Sequence, residues 1–331
     1  MINKKNKGKI IENNFYNKAF VKDIIPADDA FHESNKRVAT EWWYFEAKLN
    51  DDYTVVFTPT TQLKNLIVFP CIEIYKDGEL KVRAIKRYLS KKFQTSEDFP
   101  IVKLFDKKII DFDYKRYNEK GDWVYNISSK IDNCEINLNF SGTTKGWKTD
   151  FNEQNWIVAL PKAKVTGEIV INGNKINVNG IGYHDHNCGS DFSNLFDIIG
   201  WYWGKIMSKT LTLTWANISK KSSKGEFFAV LNQDNQGYFD INPENIYFKP
   251  DNYIRNHGRK MPTSYTLKID DVVNNIPIRV DVNMDVKNIH RRFEKLLIAP
   301  YWRYHVEATG IISLGPHKES VNKTQIMEFF V

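Results

Sequence analysis

The stretch Lys164-Val165-Thr166-Gly167-Glu168-Ile169-Val170-Ile171, then Asn172-Gly173, then Lys175-Ile176-Asn177-Val178-Asn179-Gly180-Ile181-Gly182-Tyr183 decides the fold. Apolar and polar residues alternate on both sides of Asn172-Gly173, the period of a half-buried strand. Asn-Gly supplies the two positive-φ positions of a tight two-residue hairpin. Similar runs recur: Glu41–Leu49, Tyr53–Thr58, Cys71–Tyr75, Trp123–Ser128, Glu135–Phe140, Trp201–Met207, Thr210–Asn217, Glu226–Leu231, Ser264–Ile269, Ile278–Asn283 and Tyr304–Ile312. Turn chemistry separates them at Asn50-Asp51-Asp52, Lys76-Asp77-Gly78 and Asp234-Asn235-Gln236-Gly237. Helical signals are scarce. Spacing of roughly 8–12 residues between short strands predicts an all-β protein of antiparallel barrels or sandwiches, not βαβ units.

At 331 residues the chain exceeds what one core of about 250–300 residues comfortably holds, so two domains are expected. Ser190–Ile199 breaks the alternation and is read as the connection, by a loop or a short helix. The expected division is a basic tail over 1–25, one β domain over 26–190 and another over 191–331. Ser219–Gly225 is expected to be a polar hairpin loop, and Lys249–Pro262 a long basic loop.

Composition bounds the function. The chain is 42% hydrophobic and 14% aromatic, with 21 Phe, 16 Tyr and 9 Trp, too rich for disorder and suited to sheet faces or apolar pockets. The net charge of +7 owes much to Lys4, Lys5, Lys7 and Lys9, read as a solvated tail. No basic stripe with a reading element is present, so nucleic acid is not an expected partner. Weak, transient attraction to anionic membrane surfaces is compatible with the charge. Three scattered cysteines, Cys71, Cys134 and Cys188, argue against a disulfide scaffold or a zinc knuckle and for a reducing compartment. No apolar leader and no run of roughly 18 apolar residues is seen. A cytoplasmic location, with or without peripheral membrane contact, is the expectation.

Three clusters carry chemistry. In Tyr183-His184-Asp185-His186-Asn187, alternation puts Tyr183, Asp185 and Asn187 on one face and the histidines on the other. A carboxyl among apolar neighbours is costly unless hydrogen-bonded, and burial raises its pKa, so Asp185 reads either as a structural anchor or as a proton donor with Tyr183 orienting it. His184 and His186 could chelate a metal with His290, His305 or Glu307, but no HExxH or paired CxxC supports this; no metal and no cofactor is expected. In Glu41-Trp42-Trp43-Tyr44-Phe45-Glu46, aromatics form either a core strand with acids at its rims or a cavity wall. In Tyr301-Trp302-Arg303-Tyr304-His305-Val306-Glu307, Arg303 and Glu307 read as surface charges of little energetic weight. Gly180-Ile181-Gly182 is only a fragment of a dinucleotide fingerprint. There is no P-loop and no GxSxG elbow. Cys188 reads as a small buried residue rather than a nucleophile.

These residues resemble the carotenoid 1,2-hydratase (hydroxyneurosporene synthase) and AttH-like group. The matching pieces are Glu41-Trp42-Trp43-Tyr44-Phe45, the Trp156…Pro161 strand with Gly167-Glu168-Ile169, Gly182-Tyr183-His184-Asp185-His186-Asn187 with Gly189, and Trp201-Tyr202-Trp203-Gly204. They span roughly residues 40–205. The resemblance implies two lipocalin-like β domains with a ligand cavity in or between them. It also implies cofactor-free hydration of an acyclic carotenoid, or cyclase or pericyclase (Diels–Alderase) chemistry on related scaffolds. Tyr183 and Asp185 correspond to the catalytic tyrosine and aspartate, and Trp156 to a tryptophan following a histidine, whose place Gln154 takes here. Cys188 stands where the family has tryptophan. The expected site is therefore Asp185 and Tyr183 as the catalytic pair. Trp43, Trp156, His184, Asn187, Trp201, Trp203 and Tyr304 are expected against an apolar isoprenoid, polyene or polyketide substrate. The alternative is a lipocalin-like carrier of lipid or pigment that does no chemistry.

Overall fold

A computed structural model describes residues 20–32, 39–63, 66–151, 154–191, 198–221, 225–292 and 301–330. The lysine-rich start and 192–197, where a loop or short helix was expected, lie outside the described residues, as does the centre of the Ser219–Gly225 connection. The protein is all-β, built from two curled antiparallel sheets in a two-domain lipocalin-like arrangement. The N-terminal sheet runs, edge to edge, Glu79–Ile85, Cys71–Lys76, Tyr53–Phe57, Ala39–Leu49, Asn174–Asp191, Gln154–Ile171, Cys134–Gly142, Val124–Ile131, Lys107–Phe112, Val102–Leu104 and Phe93–Thr95, with short strands off this path. The C-terminal sheet runs Tyr238–Asp240, Glu226–Gln233, Leu211–Lys220, Ile198–Met207, His317–Phe330, Tyr301–Leu314, Ile276–Arg292, Arg259–Val273 and Ile246–Asn256.

The Asn172-Gly173 turn forms as the sequence requires, with φ of 51° and 83°. It joins two strands of 18 residues each, longer than the alternating runs alone suggest. Register shifts between Ile157 and Leu160, between Leu160 and Ala163, and between Asn187 and Ser190 let these strands bend. Gly182 is needed at the bend, because a Cβ there would sit 2.4 Å from the Phe140 ring and 2.5 Å from Val165.

Alternation fills three apolar clusters. One lies inside the N-terminal sheet around Trp43, Phe45, Tyr125 and Phe140. A second lies inside the C-terminal sheet around Trp215, Trp302, Tyr304 and Phe329. The third joins the sheets: Tyr44, Tyr75, Trp147, Trp156 and Tyr183 meet Trp203, Met207, Phe228 and Ile326.

Two expectations are corrected. Lys249–Pro262 is not a loop but the outer hairpin of the C-terminal sheet, turning at His257-Gly258. One α-helix, Tyr114–Lys120, forms where no helix was read; Asp113 caps its start through the Arg116 N–H and Gly121 ends it in the left-handed conformation.

Candidate active site

The Asn174–Asp191 strand pairs with Ala39–Leu49 so that Asp185 faces Tyr44, His186 faces Trp43 and Asn187 faces Trp42. Cross-strand partners share a face. Tyr183, Asp185 and Asn187 therefore point to the seam between the sheets, and His184 and His186 into the N-terminal core.

On the seam side, Tyr183 donates from its hydroxyl to Asp185 Oδ2 at 2.7 Å. Trp156 Nε1, on the next strand, donates to the same oxygen at 3.1 Å. Asn187 Nδ2 donates to Oδ1 at 3.2 Å. Only 4% of Asp185 is exposed. Burial raises its pKa, the Tyr183 and Trp156 hydrogen bonds pull it back, and burial wins, leaving it at about 6. The same burial and the adjacent carboxylate push the Tyr183 phenol well above its ordinary value. Around this pair, Trp147 and Phe228 pack on Trp156, and Trp203 and Tyr44 pack on Tyr183.

A charged ring borders the aromatics. The Lys205 ammonium pairs with Glu46 and lies 5.0 Å from the Tyr183 ring centroid and 5.2 Å from that of Trp203. Glu46 also accepts from the Tyr44 hydroxyl at 3.0 Å. Arg303 is fully buried, bound to Glu73 of the N-terminal sheet and to Glu328 at 2.6 Å. This corrects the reading of Arg303 as a surface charge. Burial would raise the Glu73 pKa, but Arg292, Arg303 and Arg83 bring it down to about 2. The acids of the Glu41–Glu46 run are likewise buried, not at the rims.

On the core side, Asp29 closes the turn Pro26–Asp28 and enters the interior with no exposure. It meets His184 Nε2 at 3.0 Å, the Tyr125 hydroxyl at 2.6 Å and His186 Nδ1 at 3.5 Å. His186 Nε2 contacts Glu41 at 2.8 Å. Burial acts against the charged His186, but Asp29 and Glu41 outweigh it and lift its pKa to about 9. The ring stacks on Trp43 at 4.5 Å.

Of the nine residues singled out from sequence, Tyr183, Asp185, Asn187 and Trp156 come together through hydrogen bonds, and Trp203 packs on Tyr183. Trp201 stacks on Phe330 at 4.1 Å and packs, half-buried, against the seam cluster. Trp43, His184 and Tyr304 do not join them. Trp43 lies on the opposite face, its indole N–H donating to the Asp29 carbonyl. His184 spends both ring nitrogens on the Tyr44 carbonyl and Asp29, and its ring stacks 3.7 Å from Phe45. Tyr304 is enclosed in the C-terminal core. Strand alternation, which separates odd from even positions, accounts for the first two.

Sequence reasoning did not find Asp29, Glu73 or Lys205. Only Lys205, a lone cation in the apolar run Trp201–Met207, carried a local signal. The metal reading on His184 and His186 finds different partners, since His290 bonds the Gly78 carbonyl at 2.7 Å. Ligand-type atoms of His32, Glu41, His186 and Cys188 do lie within 4.8 Å of one another. There the Glu41–His186 hydrogen bond occupies the histidine nitrogen, and burial pushes the Cys188 thiol far up, keeping it protonated. Gly180-Ile181-Gly182 lies in mid-strand, not at a strand-to-helix turn, so it makes no phosphate cradle. Among the described residues no helix is long and apolar enough to cross a membrane, and the three cysteines are buried and form no disulfide.

No family model matches the chain. It is similar to hydroxyneurosporene dehydrogenase of Chlorobaculum tepidum, 24% identical over 242 residues; the match takes in 61% of this chain and 62% of that relative's length. Its fold is that of an AttH protein of Nitrosomonas europaea, with a TM-score of 0.66 at 15% identity, covering 93% of this chain and 96% of that one. Kievitone hydratase of Nectria haematococca shares it at a TM-score of 0.58 and 9% identity, over 93% and 92% of the two chains. CghA in complex with Sch210972 does so at 0.60 and 8%, over 89% and 88%. The recognition and the fold read from the sequence agree with these matches.

Proposed function

We propose that this protein is a cofactor-independent acid catalyst, a hydratase or cyclase, acting on an apolar unsaturated small molecule at the seam between its sheets. The observation that carries the reading is the Asp185 carboxyl. It is buried among indoles and phenols, fixed by three donors, and has a pKa of about 6. At pH 7 about a tenth of such a group is protonated, a usable reservoir for general acid catalysis.

Two donors saturate Oδ2, while among the described residues Oδ1 accepts only from Asn187, so Oδ1 is the oxygen that carries the proton. Its transfer to an alkene carbon leaves the carboxylate, already stabilised by Tyr183 and Trp156, and a carbocation in the substrate. The faces of Trp156, Tyr183, Trp203 and Trp201 stabilise that cation. Water adds to it and returns a proton to Asp185, giving hydration; an internal alkene or hydroxyl adds instead to close a ring, and the resulting cation loses a proton to the Asp185 carboxylate. Occurrence of the same fold in a protein named as a hydratase supports the reaction type.

The test is turnover of neurosporene and of kievitone in heavy-oxygen water, wild type against Asp185→Asn. Label entering the product with the wild type, and its loss in a variant that keeps its circular dichroism spectrum, is the expected result. Undiminished turnover by Asp185→Asn overturns the acid assignment. Stoichiometric binding of either probe, unchanged on long incubation with the wild type, makes the protein a carrier instead.

A further inference from the structure

We infer that the hairpin built by Ile246–Asn256 and the start of Arg259–Val273 docks the protein on an anionic lipid surface. The hairpin is the outer edge of the C-terminal sheet. Every residue from Asp251 to Lys260 is exposed except the half-buried Asn256. Edge strands are commonly blunted by lysine, proline and bulges, which accounts for Lys249, Pro250 and the left-handed Asn252. It does not account for Tyr247, Tyr253 and Ile254, which are 48%, 47% and 44% exposed.

Nor does folding explain the charges. Residues 249–260 hold Lys249, Arg255, Arg259 and Lys260 against the single acid Asp251. Lys249 takes that acid at 2.6 Å. Arg255 stands directly across from Lys260, a like-charge pair that weakens a hairpin. Lys260 rests over the Tyr253 ring at 4.4 Å. Excess cations interleaved with tyrosine and isoleucine match a surface of lipid phosphates and carboxylates over hydrocarbon: basic side chains are drawn to the headgroups and amphipathic rings sit at their level.

Its placement suits this role. Trp302 donates to Asn256 at 3.1 Å, tying the hairpin to the strand end where Trp302 pairs with Phe329 and Phe330 with Trp201. The hairpin thus rises from the rim of the C-terminal sheet that carries Trp201 to the seam.

Co-sedimentation of the full chain with phosphatidylcholine vesicles, with and without phosphatidylserine, tests the inference and needs no substrate, so it succeeds or fails apart from the acid chemistry. Binding to the phosphatidylserine vesicles alone, weakening as salt rises, is expected. Arg255→Gln with Lys260→Gln should weaken it roughly thirtyfold, and Tyr253→Ser with Ile254→Ser should also reduce it. These are exposed hairpin positions, and circular dichroism checks that the variants fold. Absence of binding, equal binding by the variants, or binding to an oligonucleotide but not to vesicles overturns the inference.

Discussion

The Tyr183 hydroxyl donates to Asp185 Oδ2 at 2.7 Å from two positions earlier on the same strand. The pair is set by strand geometry alone, with a side-chain repeat of two, and does not depend on how the sheets meet. Tyr183→Phe removes a donor that favours the ionised carboxylate, so the Asp185 pKa rises above about 6. The fall of activity on the alkaline side of the profile should move to higher pH, as a pH series of kcat would show.

Asp185→Asn cannot donate the proton. Turnover should fall by about 10²–10⁴-fold, the usual contribution of a general acid. Substrate binding, followed by tryptophan fluorescence, should be kept.

Activity should be greatest below about pH 6 and decline about tenfold per unit above it, because the donor form of Asp185 is lost. The groups that act on it are Tyr183 and Trp156, then the more distant His184 and Glu328. Raising pH deprotonates Asp185 first, since the Tyr183 phenol is held far above its ordinary value.

Stability should follow His186. Its pKa is raised to about 9 from an ordinary 6.5. The contribution is therefore full below about pH 6.5 and lost as pH rises through about 9, on the order of 3 kcal/mol. Melting temperatures from pH 7 to 10 should fall in the wild type and stay flatter in His186→Gln.

Lys205→Met should destabilise by about 3–5 kcal/mol, because Glu46 is left buried without its cation. Adding Glu46→Gln should recover much of that loss. Urea unfolding of the two single variants and the double variant measures the coupling.

Much of the candidate site was legible because it is local. Tyr183, Asp185 and Asn187 share a face by counting, and Asn172-Gly173 fixes the hairpin that carries them. Trp156 entered through the resemblance. The missing residues are distant in sequence. Asp29 reaches His184 across 155 positions, and Arg303 reaches Glu73 across 230; no periodicity encodes such meetings. Arg303 looked exposed because alternation reveals which residues share a face, not whether a second sheet covers it. Lys249–Pro262 looked like a loop because its prolines and charges obey the rules of an edge strand, which mimic those of a turn.

Arg303 is gripped by Glu73 from one half of the chain and Glu328 from the other. Neither half is electrically complete. Expressed as separate fragments, each would uncover an aromatic face and a charge that has lost a partner, Glu73 on one and Arg303 on the other. The halves should therefore be inherited, swapped or engineered only as matched pairs.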